Sequence, residues 1–181
     1  SKLKEPTANT APTGKFSMIG AWLLLACLGP EQGTHQAQSW EILGIHQDRS
    51  LLDVRFSQSN TGMIAGQGRV RLDWIPLNTT TIQYARHALP GDIQWEKDGV
   101  WVGPDSLKNT DENWSLQIQS DPMNARFQIK NTLTTPSKSS SKDWDVETLF
   151  AGPITGVLRS GAQSPTLSGY ALGIQRQGNN P

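Results

Sequence analysis

Trp114-Ser115-Leu116-Gln117-Ile118-Gln119-Ser120-Asp121-Pro122-Met123-Asn124-Ala125-Arg126-Phe127-Gln128-Ile129-Lys130 alternates apolar with polar side chains on both sides of a short Ser-Asp-Pro break. A period of two places Trp114, Leu116 and Ile118 on one face of an extended strand, and Phe127 and Ile129 on the matching face of the next. A helix would scatter the same residues around its circumference. The stretch therefore reads as two antiparallel strands that share a buried face.

The same alternation recurs upstream in Leu51–Ser57, Gly68–Ile75 and Asp92–Glu96, and Thr79–Ala85 is rich in β-branched and aromatic residues. Lys97-Asp98-Gly99 is a hairpin signal leading into Val100-Trp101-Val102, which Gly103-Pro104 is expected to end. Downstream, Trp144–Phe150, Gly156–Arg159 and Gly169–Ile174 read as three more short strands, and Pro136–Lys142 as a solvated loop. Beyond the N-terminal region no segment carries a capped helical stripe. About nine strands at this spacing imply a mainly β protein, a single antiparallel barrel or sandwich.

The N-terminal region is different in kind. Phe16–Leu28 is mostly apolar, but at ~1.5 Å per helical residue it spans roughly 20 Å, short of the ~30 Å of a bilayer's hydrocarbon. Two readings accommodate it. As an export signal, Leu24-Leu25-Ala26-Cys27 resembles a bacterial lipobox, with Cys27 acylated as the new N-terminus. As an uncleaved anchor, Lys15 snorkels at the cytoplasmic face and the bilayer thins around the segment. Removal of Met ahead of a small Ser1 is expected of a cytoplasmic N-terminus, which favours the anchor. Lys2, Lys4 and Lys15 against Glu5 give the head +2, so the remainder of this formally neutral chain carries −2, as a positive-inside orientation prefers. The expected organisation is a polar cytoplasmic stretch 1–13, a membrane-anchoring helix 14–29, a linker 30–39 and a β domain 40–178 outside the cytoplasm. Cys27 is the only cysteine, so no internal disulfide forms and the β domain must be held by its core, for which seven tryptophans are available.

Catalytic chemistry is sparse. His35, His46 and His87 show no metal-ligand spacing, and Gly66-Gln67-Gly68 lacks the following helix that a phosphate cradle requires. His46 with Asp48, or His87 with Asp92, becomes an acid/base pair only if folding brings it to a pocket. Asp143, Asp145 and Glu147 fall on one strand face, where Lys138 and Lys142 suggest a solvated edge. Basic residues are scattered, so nucleic acid is not an expected partner. Trp74, Trp95, Trp101 and Trp114 stand on strands. With Tyr170 they are the candidate lining of a flat apolar cavity, the alternative being a plain packed core.

Three groups of motifs carry a family resemblance: Trp40-Glu41-Ile42-Leu43 with Leu52-Asp53-Val54-Arg55-Phe56; Gly99-Val100-Trp101-Val102-Gly103-Pro104-Asp105-Ser106 leading into Trp114–Ile118; and Gly152-Pro153-Ile154-Thr155-Gly156-Val157-Leu158 with Ser168-Gly169-Tyr170. From Trp40 to about Gly178 the chain resembles the N-terminal, lipocalin-like half of the carotenoid 1,2-hydratase and AttH-type family, which includes fungal Diels-Alder cyclases. The resemblance implies a lipocalin-like barrel or sandwich. It also implies an interior suited to a carotenoid or other apolar ligand, although no cofactor is required. The run of His, Asp, Asn and Trp that typically follows the last Gly-Tyr in the family is replaced here by Ala171-Leu172-Gly173-Ile174-Gln175-Arg176-Gln177-Gly178, and a second lipocalin-like half is not expected. The expectation is a domain without enzyme activity, held at the outer face of a bacterial inner membrane as an accessory or stabilising subunit of a membrane protein complex. Because the resembling hydratases serve carotenoid synthesis in phototrophs, a photosynthetic reaction-centre or light-harvesting assembly is one implied host. The rival expectations are a carotenoid-type ligand binder or residual hydratase or cyclase, and a free periplasmic lipoprotein.

Overall fold

The structure is a computed structural model that describes residues 36–61, 64–133, 137–141 and 144–179. The expected anchor, Cys27 and His35 lie outside the described residues. Among the described residues no helix is long and apolar enough to cross a membrane.

Among the described residues twelve strands form one antiparallel sheet: β1 (Gln36–His46), β2 (Leu51–Thr61), β3 (Ile64–Ile75), β4 (Ile82–Ala88), β5 (Ile93–Glu96), β6 (Gly99–Val102), β7 (Asp105–Thr110), β8 (Asn113–Gln119), β9 (Met123–Lys130), β10 (Lys138–Ser140), β11 (Trp144–Ser160) and β12 (Thr166–Asn179). The order around the sheet is β4-β3-β2-β1-β12-β11-β9-β8-β7-β6-β5, with the short β10 on β11. The sheet curls into a nearly closed barrel. Its first and last strands run side by side, Gln36 opposite Asn179. The fold is thus mainly β, as the alternation requires, and a barrel rather than an open sandwich.

The stretch 114–130 behaves as its period dictates. Trp114, Leu116 and Ile118 on β8 and Met123, Ala125, Phe127 and Ile129 on β9 are all buried, and their polar neighbours point outward. The other strands add Trp40, Ile42, Leu52, Val54, Phe56, Val70, Leu72, Trp74, Val100, Val102, Leu107, Phe150, Ile154 and Leu158 to one continuous core.

Four elements depart from the sequence expectation. β1 begins at Gln36, inside the stretch read as linker. β7 follows at once on Gly103-Pro104, because Gly103 takes φ +59° and turns the chain back on itself instead of leaving the sheet. β10 lies within the stretch read as a loop: its residues are fully exposed, and pairing with β11 alone makes it a strand. Trp144–Phe150 and Gly156–Arg159 are one strand, β11. Pro153 sits just beyond the last residue paired with β9, so its missing N–H removes no rung on that side.

The barrel has one seam. β4 and β5 are consecutive, joined by a 3-10 turn at Pro90–Asp92, yet they stand at opposite ends of the strand order. Side chains bridge the gap. Ile93 presses so closely on Gly68 that a Cβ there would meet it at 2.2 Å. Tyr84 and Arg86 of β4 reach the fully buried Asp105 of β7: Tyr84 donates to Oδ2 at 2.7 Å, and Arg86 Nε donates to the same oxygen at 3.0 Å. The backbone N–H of Gln119 donates to Oδ1 at 2.8 Å. Burial raises the Tyr84 pKa above its ordinary value, with the bond to Asp105 adding to it.

Candidate functional site

The five aromatic residues proposed from the sequence do not converge on one cavity. Trp95 and Trp114 meet inside the barrel with Trp40, which sequence reasoning placed only within a family motif. Ring centroids are 6.0 Å apart for Trp40–Trp95 and 5.4 Å for Trp40–Trp114, both edge to face. Phe150 extends the cluster at 4.9 Å from Trp114. Its ring lies across Gly173, where a Cβ would stand 2.3 Å from it, so β12 must carry glycine at that point. Trp101 lies on the face of β6 opposite to the buried Val100 and Val102, with its ring over Gly99. Tyr170 is on the outer face of β12, its hydroxyl 3.2 Å from Thr132 Oγ1.

The interior cluster has unused hydrogen-bonding capacity. The indole N–H groups of Trp40, Trp95 and Trp114 are buried without an acceptor among the described residues. A buried donor left unpaired costs about 1–3 kcal/mol, so three in one cluster is an unusual concentration. Burial also leaves Asp105 as the one buried acid facing inward among the described residues, and it is already committed to Tyr84, Arg86 and Gln119.

Trp74 sits apart, at the end of the barrel away from Gln36. There the β1–β2 turn, the β3–β4 loop and the β11–β12 turn border an open cavity of about 470 Å³, lined by Asp48, Ser50, Trp74, Pro76, Leu77, Asn78, Thr79, Thr80, Ile82, Gln163, Ser164 and Pro165. The β1–β2 turn is tightly built. His46 N–H donates to the Ser50 carbonyl at 2.9 Å, Ser50 N–H to Asp48 Oδ1 at 2.8 Å, and Gln47 N–H to the Ser168 carbonyl at 3.1 Å. Arg49 between them takes φ +68°, rare for a residue with a side chain. Of the His46–Asp48 pair, only Asp48 lines this cavity. Nδ1 of His46 is 2.6 Å from Asp48 Oδ1 and also accepts from the Asp48 backbone N–H at 3.2 Å, and the imidazole stands edge to face with Trp74 at 5.8 Å. Bonds from the Ser50 hydroxyl and backbone, then from His46, bring the Asp48 carboxyl down to about 2, so it is ionised at neutral pH. His87 and Asp92 are exposed, and no ion pair joins them among the described residues. Asp143 lies outside the described residues. Glu147 stands opposite Lys138 in the β10–β11 ladder. Among the described residues no cluster of His, Cys, Asp and Glu could hold a metal.

No family model matches this chain, and no curated protein matches it. Among solved structures it is similar to the "putative AttH" of Nitrosomonas europaea, at a TM-score of 0.59 and 7% identity over 82% of this chain and 52% of that one. It is also similar to CghA, solved with Sch210972, at a TM-score of 0.51 and 9% identity over 79% of this chain and 45% of that one. The chain spans about half the length of these structures. At such identities the likeness is one of fold, and the fold is a lipocalin-like β-barrel.

Proposed function

We propose that this protein is a non-catalytic β-barrel tethered at the periplasmic face of a bacterial inner membrane, where it serves as an accessory subunit of a larger membrane complex. The observation that carries this reading is an apolar patch on the outside of the sheet. Ile75, Leu51, Ile45 and Tyr170 are successive cross-strand partners on β3, β2, β1 and β12, and Leu43 pairs with Leu172 in the adjoining row. These six side chains are 37% to 61% exposed. An unbroken aliphatic surface over four strands is uncommon on a protein that works alone. Beside it stand Asp53 and Asp73, then Glu41 bound to Arg55 and Arg176, so the patch has an apolar centre and a charged rim on one side. The fitting partner is an extramembrane aliphatic surface of an integral membrane subunit. The sequence-derived tether 14–29, too short to span comfortably alone, supports a neighbour of that kind.

Gentle detergent extraction followed by identification of co-purifying chains tests the proposal. Integral membrane subunits should accompany the wild type, and the double substitution Ile45→Lys, Leu172→Lys should release the barrel with its tryptophan fluorescence unchanged. Extraction of the wild type alone at every detergent strength would rule the reading out. The mass of the native N-terminal peptide separates an acylated Cys27 from an intact anchor.

The three unpaired indoles favour a second reading, an interior site for an apolar ligand such as a carotenoid bearing a hydrogen-bond acceptor. Titration with an oxygenated polyene should then quench tryptophan fluorescence, and Trp40→Phe, which keeps the ring and removes the donor, should weaken binding roughly 5- to 10-fold. A silent titration removes this reading.

A further inference from the structure

The cavity at the end of the barrel away from Gln36 has a lining whose chemistry is specific. It joins apolar side chains, the buried Trp74 and Ile82 and the exposed Leu77 among them, to neutral hydroxyl and amide groups such as those of Asn78, Thr80 and Gln163. No Lys or Arg lines it, and the one charge is the carboxylate of Asp48. Anionic ligands are therefore disfavoured, and a purely apolar ligand would strip water from the polar groups without replacing their hydrogen bonds. A pyranose ring matches the remaining possibilities: its C–H face covers an aromatic or aliphatic floor, and its hydroxyl edge both donates and accepts. Oδ1 of Asp48 accepts the Ser50 N–H and lies against His46 Nδ1, and the 60% exposure of the side chain leaves the carboxylate open to vicinal hydroxyls.

Two of the three segments around the cavity are held in place before any ligand arrives. Gln47 ties the β1–β2 turn to β12, and Gln163 exchanges backbone hydrogen bonds with Ser160 at 2.9 and 3.0 Å. These two segments need little ordering on binding. A volume of about 470 Å³ lies within the ordinary range for small-molecule sites. The geometry points to a binding site for a neutral, polyhydroxylated ring of the carbohydrate class, with Trp74 on its apolar side and Asp48 as the anchoring acceptor. This inference is independent of the docking face and of the interior tryptophans.

The test is a neutral-glycan array probed with the full chain in a detergent without a sugar headgroup, followed by tryptophan-fluorescence titration with the methyl glycoside of the best hit. Saturable binding is expected, with sulfated glycans and choline inactive. Asp48→Asn, which keeps an acceptor for Ser50, should weaken binding roughly 10-fold or more, as loss of a charge-assisted hydrogen bond does. Gln163→Ala, an exposed turn residue whose backbone bonds survive, should weaken it about 3- to 10-fold, and it decides the matter alone if the Asp48 variant fails to fold. A silent array, two variants that bind like the wild type, or choline binding in preference to any sugar would each overturn the inference.

Discussion

Asp53 shows how a single side chain can act against the fold that surrounds it. It faces Asp73 directly across the β2–β3 ladder, and one oxygen of each carboxylate is buried without a partner. Burial, followed by the charge of Glu41, raises the Asp53 pKa above 3.8. The folded state therefore holds that proton more tightly than the unfolded chain does. The resulting contribution to stability is complete below pH 3.8 and is lost as pH rises through the folded-state value. At neutral pH the residue is a liability, partly offset by Arg55 and Arg71. Asp53→Asn is expected to stabilise the barrel at pH 7 by a few tenths to about 1 kcal/mol, the usual scale for relieving like charges directly opposite in a sheet. The gain should vanish when both proteins are melted at or below pH 3.8; an equal gain at both pH values would refute the assignment. The alternation around Asp53 was plain in the sequence. That its partner across the ladder is another carboxylate follows only from register, which joins residues twenty apart.

At the scale of elements, the seam between β4 and β5 decides whether the sheet is a barrel at all. Eleven strands follow one another by backbone hydrogen bonds, and the last junction is made by side chains: Ile93 over Gly68, and Tyr84 with Arg86 on Asp105. Removing the buried carboxylate leaves Arg86 only the Tyr84 hydroxyl and the Gln119 carbonyl, and leaves the Gln119 N–H without its acceptor, so Asp105→Ala should cost about 2–3 kcal/mol in a denaturant melt. Tyr84→Phe, which removes one hydrogen bond to the same oxygen, should cost only about 1 kcal/mol. A loss below 1 kcal/mol in the Asp105 variant would mean that the seam is held by packing alone. Sequence reading located β4 through its β-branched and aromatic content, β5 through its alternation and β6 through the Lys97-Asp98-Gly99 hairpin signal. It missed β7, because Asp105-Ser106-Leu107 is buried at three consecutive positions and so breaks the alternation that identifies a strand.

At the scale of the whole molecule, the features with functional content lie on different surfaces. The described chain enters the barrel at Gln36, and Ile45 on the apolar patch is nine residues along the same strand, about 30 Å away at ~3.3 Å per residue. The end cavity opens beside the patch, while the unpaired indoles lie within. What the sequence determined by itself was the class of the molecule. A period of two fixes which side of a strand is buried, and a chain with a single cysteine must supply its own core, so an antiparallel β protein lined with tryptophans follows from local pattern. Which tryptophans meet, where His46 and Asp48 stand relative to Trp74, and whether Leu43, Ile45, Leu51, Ile75, Tyr170 and Leu172 form one surface were settled only by tertiary structure. Local pattern says which way a side chain points; strand order and register say what it faces, and these depend on contacts between segments far apart in the chain.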